Sequence, residues 1–338
     1  MKTYFVTGCA GFIGFHVSRR LLSEGYSIVG ADNLNDYYDV NLKQDRLKIL
    51  KNHKNFYFYQ TNLENFAAVE KVMQDHPVHT VIHLAAQPGV RYSISHPQTY
   101  INSNIVGFFN VLEACRQHQV AHLIYASSSS VYGANTKMPY SIDTNVDHPM
   151  SLYAATKKAN ELMAHTYSNL YGLPTTGLRF FTVYGPWGRP DMAIYLFVNS
   201  IIAGKPIKVF NYGKMRRDFT FIDDIVEGIT MIINKIPQPN PYWDGKQPDP
   251  SSSFVPYKIY NIGHNQPVEL LTLISIIEDN LGRKAKKEFL PIQPGDVPET
   301  YANIDSLMKD VGFKPQISIE KGVERFVAWY KNYHNISL

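Results

Sequence analysis

The chain has 338 residues, of which 44% are hydrophobic and 18% charged, and its formal net charge is +4. This composition is typical of a globular protein, and so small a net charge argues against nucleic acid as a partner. No apolar stretch approaches the ~20 residues needed to cross a membrane, so we expect no membrane contact.

Strand-like and helix-like apolar runs alternate through the first half of the chain. Strands are predicted at residues 2–7, 26–32, 55–60, 80–85, 122–127 and 175–180, and helices at residues 12–24, 97–118 and 151–171. Such alternation with short connections indicates a parallel sheet covered by helices on both faces. We therefore predict an α/β fold with a doubly wound parallel sheet of the Rossmann type.

The alternation ends near residue 180, and helices are then predicted at residues 194–203, 223–234, 270–281 and 319–333. Residues 237–256 are rich in proline and are expected to form an exposed loop. We predict a nucleotide-binding domain over residues 1–180 that carries the catalytic residues. Residues 181–338 should form a smaller α+β lobe that mainly binds the substrate, with some segments returning to the first domain.

A glycine loop joins the first predicted strand to the first predicted helix. Gly8, Gly11 and Gly14 are spaced G-x-x-G-x-x-G, and glycines allow backbone N–H groups to approach a pyrophosphate at a helix N-terminus. Asp32 ends the second strand, where a carboxylate can accept hydrogen bonds from ribose hydroxyls and repels a 2′-phosphate. The pattern predicts NAD rather than NADP. A tight turn without a ligand, and a capping role for Asp32, remain the alternatives.

Tyr153 and Lys157 lie four residues apart on the predicted helix 151–171 and therefore share one face. A phenol of ordinary pKa ≈ 10 is a poor base at neutral pH. A nearby ammonium lowers that pKa by favouring the phenolate, so the phenol can exchange a proton with a substrate hydroxyl. The serine run Ser127–Ser130 can hold the reacting oxygen. This combination predicts oxidation or reduction of a carbinol beside a nicotinamide.

Cysteine and histidine usage bears on location and metal binding. Cys9 and Cys115 make no disulfide framework and are expected to be buried thiols in a reducing compartment. The chain also runs from its first residues directly into a strand, which leaves no room for a signal peptide. We therefore expect a cytoplasmic protein. None of the twelve histidines shows ligand spacing, so no metal site is expected.

The chain resembles the extended short-chain dehydrogenases/reductases in the order of its motifs: the glycine loop, Asp32, Ala85-Ala86, the serine run and Tyr153-x-x-x-Lys157. Within that superfamily the chain resembles nucleotide-sugar epimerases, and most closely UDP-glucuronate 4-epimerases, over essentially its whole length. The most specific stretches are residues 35–43, 87–92, 178–193 and 217–224.

The resemblance implies a catalytic base, Tyr153, assisted by Lys157 and Ser128. It implies NAD contacts from Gly8, Gly11, Phe12, Ile13, Gly14, Asp32, Asn33, Lys43, Asn62, Leu63, Leu84, Ala85, Ala86, Gln87, Asn104, Tyr153 and Lys157. It implies UDP-sugar contacts from Arg91, Ser128, Ser129, Thr182, Arg189, Arg217 and Asp296. Residues 293–296 match a loop that binds uridine ribose, although many relatives carry Arg where this chain has Gln293. It also implies a homodimer that pairs through helices 97–118 and 151–171, and a role in supplying precursors for polysaccharide biosynthesis.

The residues before Tyr132 help to choose among the reactions of this superfamily. Related 4,6-dehydratases carry Asp-Glu there and UDP-glucuronate decarboxylases carry Glu, whereas this chain has Ser129 and Ser130. A 4-keto glucuronate is a β-keto acid, and a neighbouring carboxylate would favour loss of CO₂. Hydroxyls of Ser128–Ser130 and Thr182 can instead hydrogen-bond the sugar carboxylate, unless Ser129 and Ser130 merely pack beneath the loop.

We therefore predict C4 epimerisation of UDP-glucuronate to UDP-galacturonate. Three alternatives remain at this point: a 4-epimerase of neutral UDP-hexoses, a UDP-glucuronate decarboxylase, and a non-catalytic NAD(H)-sensing protein. Arg91 and Arg189 could instead be surface arginines.

Overall fold

The computed structural model of the chain describes residues 2–293 and 295–336. Its strands are β1 Thr3–Thr7, β2 Ser27–Asp32, β3 Phe56–Gln60, β4 Val78–His83, β5 His122–Ser128, β6 Thr175–Phe180, β7 Thr182–Tyr184, β8 Ile207–Val209, β9 Arg216–Phe221, β10 Tyr257–Ile262, β11 Pro267–Glu269, β12 Lys287–Phe289 and β13 Glu299–Thr300. Its α-helices are α1 Phe12–Ser23, α2 Val40–Lys51, α3 Phe66–Asp75, α4 Tyr92–Ser95, α5 Pro97–Tyr100, α6 Gly107–Gln117, α7 Leu152–Tyr171, α8 Ala193–Ile202, α9 Ile222–Ile233, α10 Leu270–Leu281, α11 Asp305–Val311 and α12 Ile319–Tyr333.

The main sheet has the order β10-β6-β5-β4-β1-β2-β3, and each neighbouring pair of strands is parallel. Strand order reverses between β1 and β4, and ligands of open α/β sheets bind at the carboxyl ends of the strands beside such a point. The predicted doubly wound Rossmann sheet is confirmed.

Buried side chains cover both faces of this sheet. In β1, Tyr4 and Val6 belong to one buried apolar cluster and Phe5 to the other, because successive side chains of a strand point to opposite faces. The first cluster extends to α1, α9, α10 and α12, and the second to α3, α6 and α7. Packing on both faces holds the carboxyl edge of the sheet rigid.

Beyond β6 the chain mostly leaves the main sheet. β9 pairs with β7, β11 and β13 in a second sheet, and β12 pairs with β8. β10 alone, among the described strands after β6, returns to the main sheet, where it lies beside β6. The division into two functional regions near residue 180 stays a prediction.

Several elements differ from the predicted ones. Helices α2 and α3 were not predicted, and the single helix predicted for residues 97–118 is divided. α5 and α6 are joined by a π-helical segment, Ile101–Val106, and such wide turns are frequent at functional sites. Among the described residues, no helix combines the length and the apolar character required to cross a membrane.

Candidate active site

A cavity of about 430 Å³ opens at the carboxyl ends of the main-sheet strands. Most of the predicted site residues line it: Gly8, Gly11, Phe12, Ile13, Gly14, Asp32, Asn33, Lys43, Asn62, Leu63, Leu84, Ala85, Ala86, Ser128, Ser129, Tyr153, Lys157, Thr182 and Arg189. The cavity therefore brings together residues from the first and second halves of the chain.

The glycine loop forms a close-packed cradle at one end of the cavity. Gly8 has φ +70°, and a Cβ there would lie 2.8 Å from the backbone nitrogen of Ala85. A Cβ on Gly14 would lie 2.1 Å from the carbonyl oxygen of Gly8. Gly11 is the N-cap of α1 and supplies no side-chain cap, so the first N–H groups of the helix are left for a ligand. These features fit a dinucleotide pyrophosphate.

Asp32 stands at the end of β2, beside this cradle. Its carboxylate accepts hydrogen bonds from the backbone N–H groups of Ala10 (3.2 Å) and Leu34 (2.9 Å), which fix its orientation. Of the described residues that line the cavity, Asp32 alone carries a carboxylate, whereas Lys43, Lys157 and Arg189 are cationic. The cavity therefore suits an anionic ligand, and Asp32 is placed to accept hydrogen bonds from a ribose. The residues present fit NAD.

The predicted catalytic groups meet at the carboxyl end of β5. Tyr153 and Lys157 lie on successive turns of α7, and Ser128 ends β5. The Lys157 ammonium donates a hydrogen bond to the carbonyl oxygen of Ala126, 2.8 Å away. This bond ties α7 to the strand that carries the serine run.

The lowering of the Tyr153 pKa by Lys157 stays a prediction. Burial raises the pKa of Tyr153; the Ser128 hydroxyl and the charge of Arg189 act in the opposite direction but do not outweigh it. Burial also lowers the pKa of Lys157 to about 8, although the negative charge of Glu161 raises it.

Arg189 supplies positive charge at the other end of the cavity. Its guanidinium donates to Asp191, with Nε 2.9 Å from Oδ1, and the Tyr37 hydroxyl donates to the same carboxylate at 3.1 Å. Asp191 raises the pKa of Arg189 despite the opposing effect of burial, so the group stays cationic. Arg189 is therefore an oriented cavity residue and not a surface arginine.

Five predicted site residues do not line the cavity. Asn104, in the π-helical segment, accepts a hydrogen bond from the backbone N–H of Gln87 (2.8 Å) and donates to its carbonyl (3.1 Å), so the two lie together behind the cavity wall. Arg91 is exposed at the start of α4. Arg217 and Asp296 pair with each other at 2.7 Å. Their binding roles stay predictions, and in the predicted uridine loop Pro294 lies outside the described residues.

Other residues line the cavity that only the structure placed there. They include Asn35, Tyr37, Tyr38, Thr61, Ser103, Phe180, Phe181 and Met192. The stretch 35–43 had been noted for its resemblance to relatives, and its position directly after β2 is the signal that could have located Tyr37 and Tyr38. Phe181 and Met192 lie in the stretch 178–193, which had been noted for the same resemblance, and that is the signal that could have located them.

Comparison with known proteins places the chain in a family. Residues 4–263 match the model of the NAD dependent epimerase/dehydratase family. The chain belongs to this family. The predicted epimerase-type resemblance and enzyme class are therefore confirmed.

Individual relatives match over almost the full length. The chain is 56% identical to Protein CapI of Staphylococcus aureus, covering 97% of this chain and 98% of that one. It is 48% identical to a probable UDP-glucuronate 4-epimerase of Rhizobium meliloti, with 98% and 97% covered. A crystal structure of UDP-glucuronic acid 4-epimerase from Bacillus cereus, in complex with UDP-glucuronic acid and NAD, superposes with a TM-score of 0.87 at 32% identity and covers 98% of this chain and 99% of that one.

Proposed function

We propose that this protein is an NAD-dependent UDP-glucuronate 4-epimerase, which converts UDP-glucuronate to UDP-galacturonate through a transient 4-keto sugar. The observation that carries the proposal is the meeting of Tyr153, Lys157 and Ser128 with the glycine cradle and Asp32 in one cavity. The relatives named for this activity, and the solved complex with UDP-glucuronic acid and NAD, support it over nearly the whole chain.

In this proposal Tyr153 exchanges the proton of the sugar C4 hydroxyl, and Ser128 hydrogen-bonds the reacting oxygen. Because burial raises the pKa of Tyr153, the phenolate needs assistance, and the Ser128 hydroxyl and the Arg189 charge both lower that pKa. NAD⁺ held by the glycine cradle and Asp32 would supply a hydride acceptor for the sugar C4 and would be regenerated in each turnover, with no net oxidation. Lys157 holds its ammonium beneath the same end of β5.

The C6 carboxylate of the sugar is recognised by hydroxyl groups. Ser129, Ser130 and Thr182 line the cavity near Tyr153, and no described carboxylate lines this end. Hydroxyls can donate to the sugar carboxylate without a competing charge, which keeps the β-keto acid intermediate from losing CO₂. This arrangement favours epimerisation over decarboxylation.

We assign the UDP portion to the second half of the chain, within residues 181–338, with the cofactor held mainly by residues 1–180. Arg217 lies on β9 and is oriented by Asp296 and by the carbonyl oxygen of Pro298, 3.0 Å from Nη1. An oriented guanidinium suits a phosphate through its planar fork. Arg91, on the exposed rim, is proposed as a further contact of the anionic substrate. Gln87 and Asn104 are proposed to support the nicotinamide end from behind.

One assay tests the reaction directly. Purified protein is incubated with UDP-glucuronate and no added cofactor, and we expect UDP-galacturonate. Tyr153→Phe should lower kcat at least about 100-fold, since general acid–base groups contribute roughly 10²–10⁴-fold. Tyr330→Phe is the control, because the Tyr330 hydroxyl lies outside the cavity and donates to Asn199, on α8. Formation of a UDP-pentose, or no reaction of the wild type, contradicts the proposal.

A second experiment tests recognition of the acid sugar. In the inactive Tyr153→Phe background, Thr182→Val should weaken binding of UDP-glucuronate about tenfold or more, because hydrogen bonds to charged groups contribute about 1.5–3 kcal/mol. Binding of UDP-glucose should be unchanged. Equal weakening for both sugars contradicts a role for Thr182 at C6.

We also propose that the enzyme is a cytoplasmic homodimer that supplies a sugar donor for polysaccharide biosynthesis. α6 and α7 pack against each other and expose large apolar side chains, including Phe109 (47% exposed), Leu162 (58%) and Tyr171 (52%). Pairing of this face with a second copy would bury them. Both cysteines are free and buried, as expected in a reducing compartment. Sedimentation of the wild type as a monomer at micromolar concentration contradicts the dimer. The variant Phe109→Asp should sediment as a monomer.

A further inference from the structure

A buried ion pair lies directly behind the serine run. The Arg179 guanidinium, on β6, donates to both carboxylate oxygens of Glu161, on α7, with Nε 2.8 Å from Oε1 and Nη2 2.9 Å from Oε2. The side chains are 0% and 1% exposed. Neither residue is among those that line the cavity, so the pair cannot act by touching the substrate or cofactor.

Glu161 connects two of the proposed catalytic elements. It stands one turn after Lys157 on α7, and its Oε1 also accepts a hydrogen bond of 2.7 Å from the Ser127 hydroxyl. Lys157 itself donates to the carbonyl oxygen of Ala126, the preceding residue of β5. Two consecutive residues of the strand end are thereby attached to two consecutive turns of the catalytic helix.

Arg179 holds the serine run from the neighbouring strand. It is the register partner of Ser127 across β5 and β6. Its guanidinium lies 4.9 Å from the ring centre of Tyr132, the residue that closes the turn Ser129–Tyr132. The Tyr132 hydroxyl in turn donates to Asn261 of β10 at 2.7 Å. Both ends of the serine run are therefore supported by contacts that involve the ion pair.

The burial of this ion pair is weak evidence that it stabilises the folded state. Desolvation of two buried charges can exceed their attraction, and well-packed apolar residues of the same volume are often equally or more stabilising. Removing one partner alone leaves a buried charge and is strongly destabilising. The contacts of this pair point to a role other than stability.

We propose that Glu161 and Arg179 are positioning residues that fix the serine run and the Lys157 ammonium relative to Tyr153. The proposal deepens the proposed function and rests on it for the identity of the reacting groups. The bidentate pair acts as a rigid link between α7 and β5, so that the hydroxyl of Ser128 and the phenol of Tyr153 reach the same sugar oxygen.

The charges around the link support this role. Burial by itself raises the pKa of Glu161. Arg179, Lys158 and the Ser127 hydroxyl lower that pKa by more than burial raises it, so the group is a carboxylate. That negative charge opposes the loss of the Lys157 proton. The other titratable groups facing the pair and Lys157 include Tyr153 and Lys158 of α7, His83 of β4, Tyr125 of β5, Tyr132 at the end of the turn after β5, and Tyr257 of β10. Burial keeps this histidine and these phenols neutral near pH 7, because it lowers the pKa of His83 to about 3 and raises those of the four tyrosines.

Three variants test the proposal in the full chain. Glu161→Gln should lower kcat about 10–100-fold, because a misplacement of ~1 Å can cost 10²-fold, with little change in KM. It should also move the midpoint of Lys157 deprotonation to lower pH, measured by nitrogen-15 NMR of lysine-labelled protein. Arg179→Lys keeps the charge without the fork, so kcat should fall while the Lys157 midpoint stays within about half a pH unit.

The double variant Glu161→Gln/Arg179→Met removes both charges, so it should fold even where the single variant is unstable. We expect the double variant to show a lower kcat than the wild type and a Lys157 midpoint at lower pH, as in Glu161→Gln. Glu278→Gln is the control: Glu278 is buried and forms an ion pair with the exposed Lys287 in the second half of the chain, and its loss should reduce stability without moving the Lys157 midpoint.

Folded double-variant protein with wild-type kcat and a wild-type Lys157 midpoint overturns the proposal. The NMR titration needs no substrate, so it reports on the link even in a protein that does not epimerise UDP-glucuronate. A wild type without epimerase activity contradicts the proposed function, whereas an unshifted Lys157 midpoint in Glu161→Gln contradicts the positioning role.

Discussion

Three buried imidazoles should make the protein lose stability at mildly acidic pH. His16, His83 and His122 are 4%, 2% and 0% exposed. Burial lowers their pKa values to about 3, about 3 and about 4. Each is held by a hydrogen bond of 2.8–2.9 Å to a neighbouring oxygen. All three therefore stay neutral in the folded protein at pH values where an exposed histidine is charged.

The size of the effect follows from proton linkage. Below about pH 6.5 these histidines are protonated in the unfolded chain but not in the folded protein. The unfolded state therefore binds more protons, and the free energy of unfolding decreases as the pH is lowered. Between about pH 7.5 and about pH 5.5 each histidine removes ~1.4 kcal/mol, or ~4 kcal/mol for the three. The loss continues until the folded-state pKa values are reached.

Urea unfolding at these two pH values measures the loss. His16→Gln keeps a side-chain donor for the carbonyl oxygen of Pro186 but cannot be protonated. Its unfolding free energy should therefore fall by about 1.4 kcal/mol less than that of the wild type over the same pH interval. His53→Gln, at a partly exposed position between α2 and β3, is the control for the histidine-to-glutamine change itself. An identical pH dependence in His16→Gln and wild type refutes the reasoning.

Two further changes probe the cofactor end of the cavity. Gly14→Ala places a methyl group 2.1 Å from the carbonyl oxygen of Gly8. Because overpacking of this kind costs about 1–3 kcal/mol, the purified protein should carry less NAD, measured as the NAD released on denaturation. Unchanged NAD content contradicts a role for the cradle. Arg46 is fully buried and donates to the carbonyl oxygens of Ala10 and Trp187, so Arg46→Met should lower the free energy of unfolding by about 3 kcal/mol through loss of charge-assisted hydrogen bonds. It should also raise KM for UDP-glucuronate, because Arg46 links the glycine loop to the segment that carries Arg189; an unchanged KM contradicts that link.

Elements with strong local patterns could be predicted from the sequence. Strand β6 and helices α10 and α12 have the predicted bounds, and the ends of β1, β2, β3 and α1 differ by a residue at most. Helix α2 escaped prediction because its sequence, VNLKQDRLKILK, is largely polar and begins inside a tyrosine-rich stretch. β10 follows the proline-rich segment 237–256 and is recognisable as a main-sheet strand only through its pairing with β6.

The sequence by itself determined the chemistry that depends on short spacing: a glycine loop between a strand and a helix, a carboxylate at the end of the second strand, and a tyrosine and lysine on one helical face. Helix and strand periods are local properties, so these groups could be named in advance. Only the tertiary structure decided how the groups are tuned and held. The raised pKa of Tyr153, the Glu161–Arg179 link and the placement of Arg189 all depend on burial and on contacts between residues distant in the chain, which no local pattern contains.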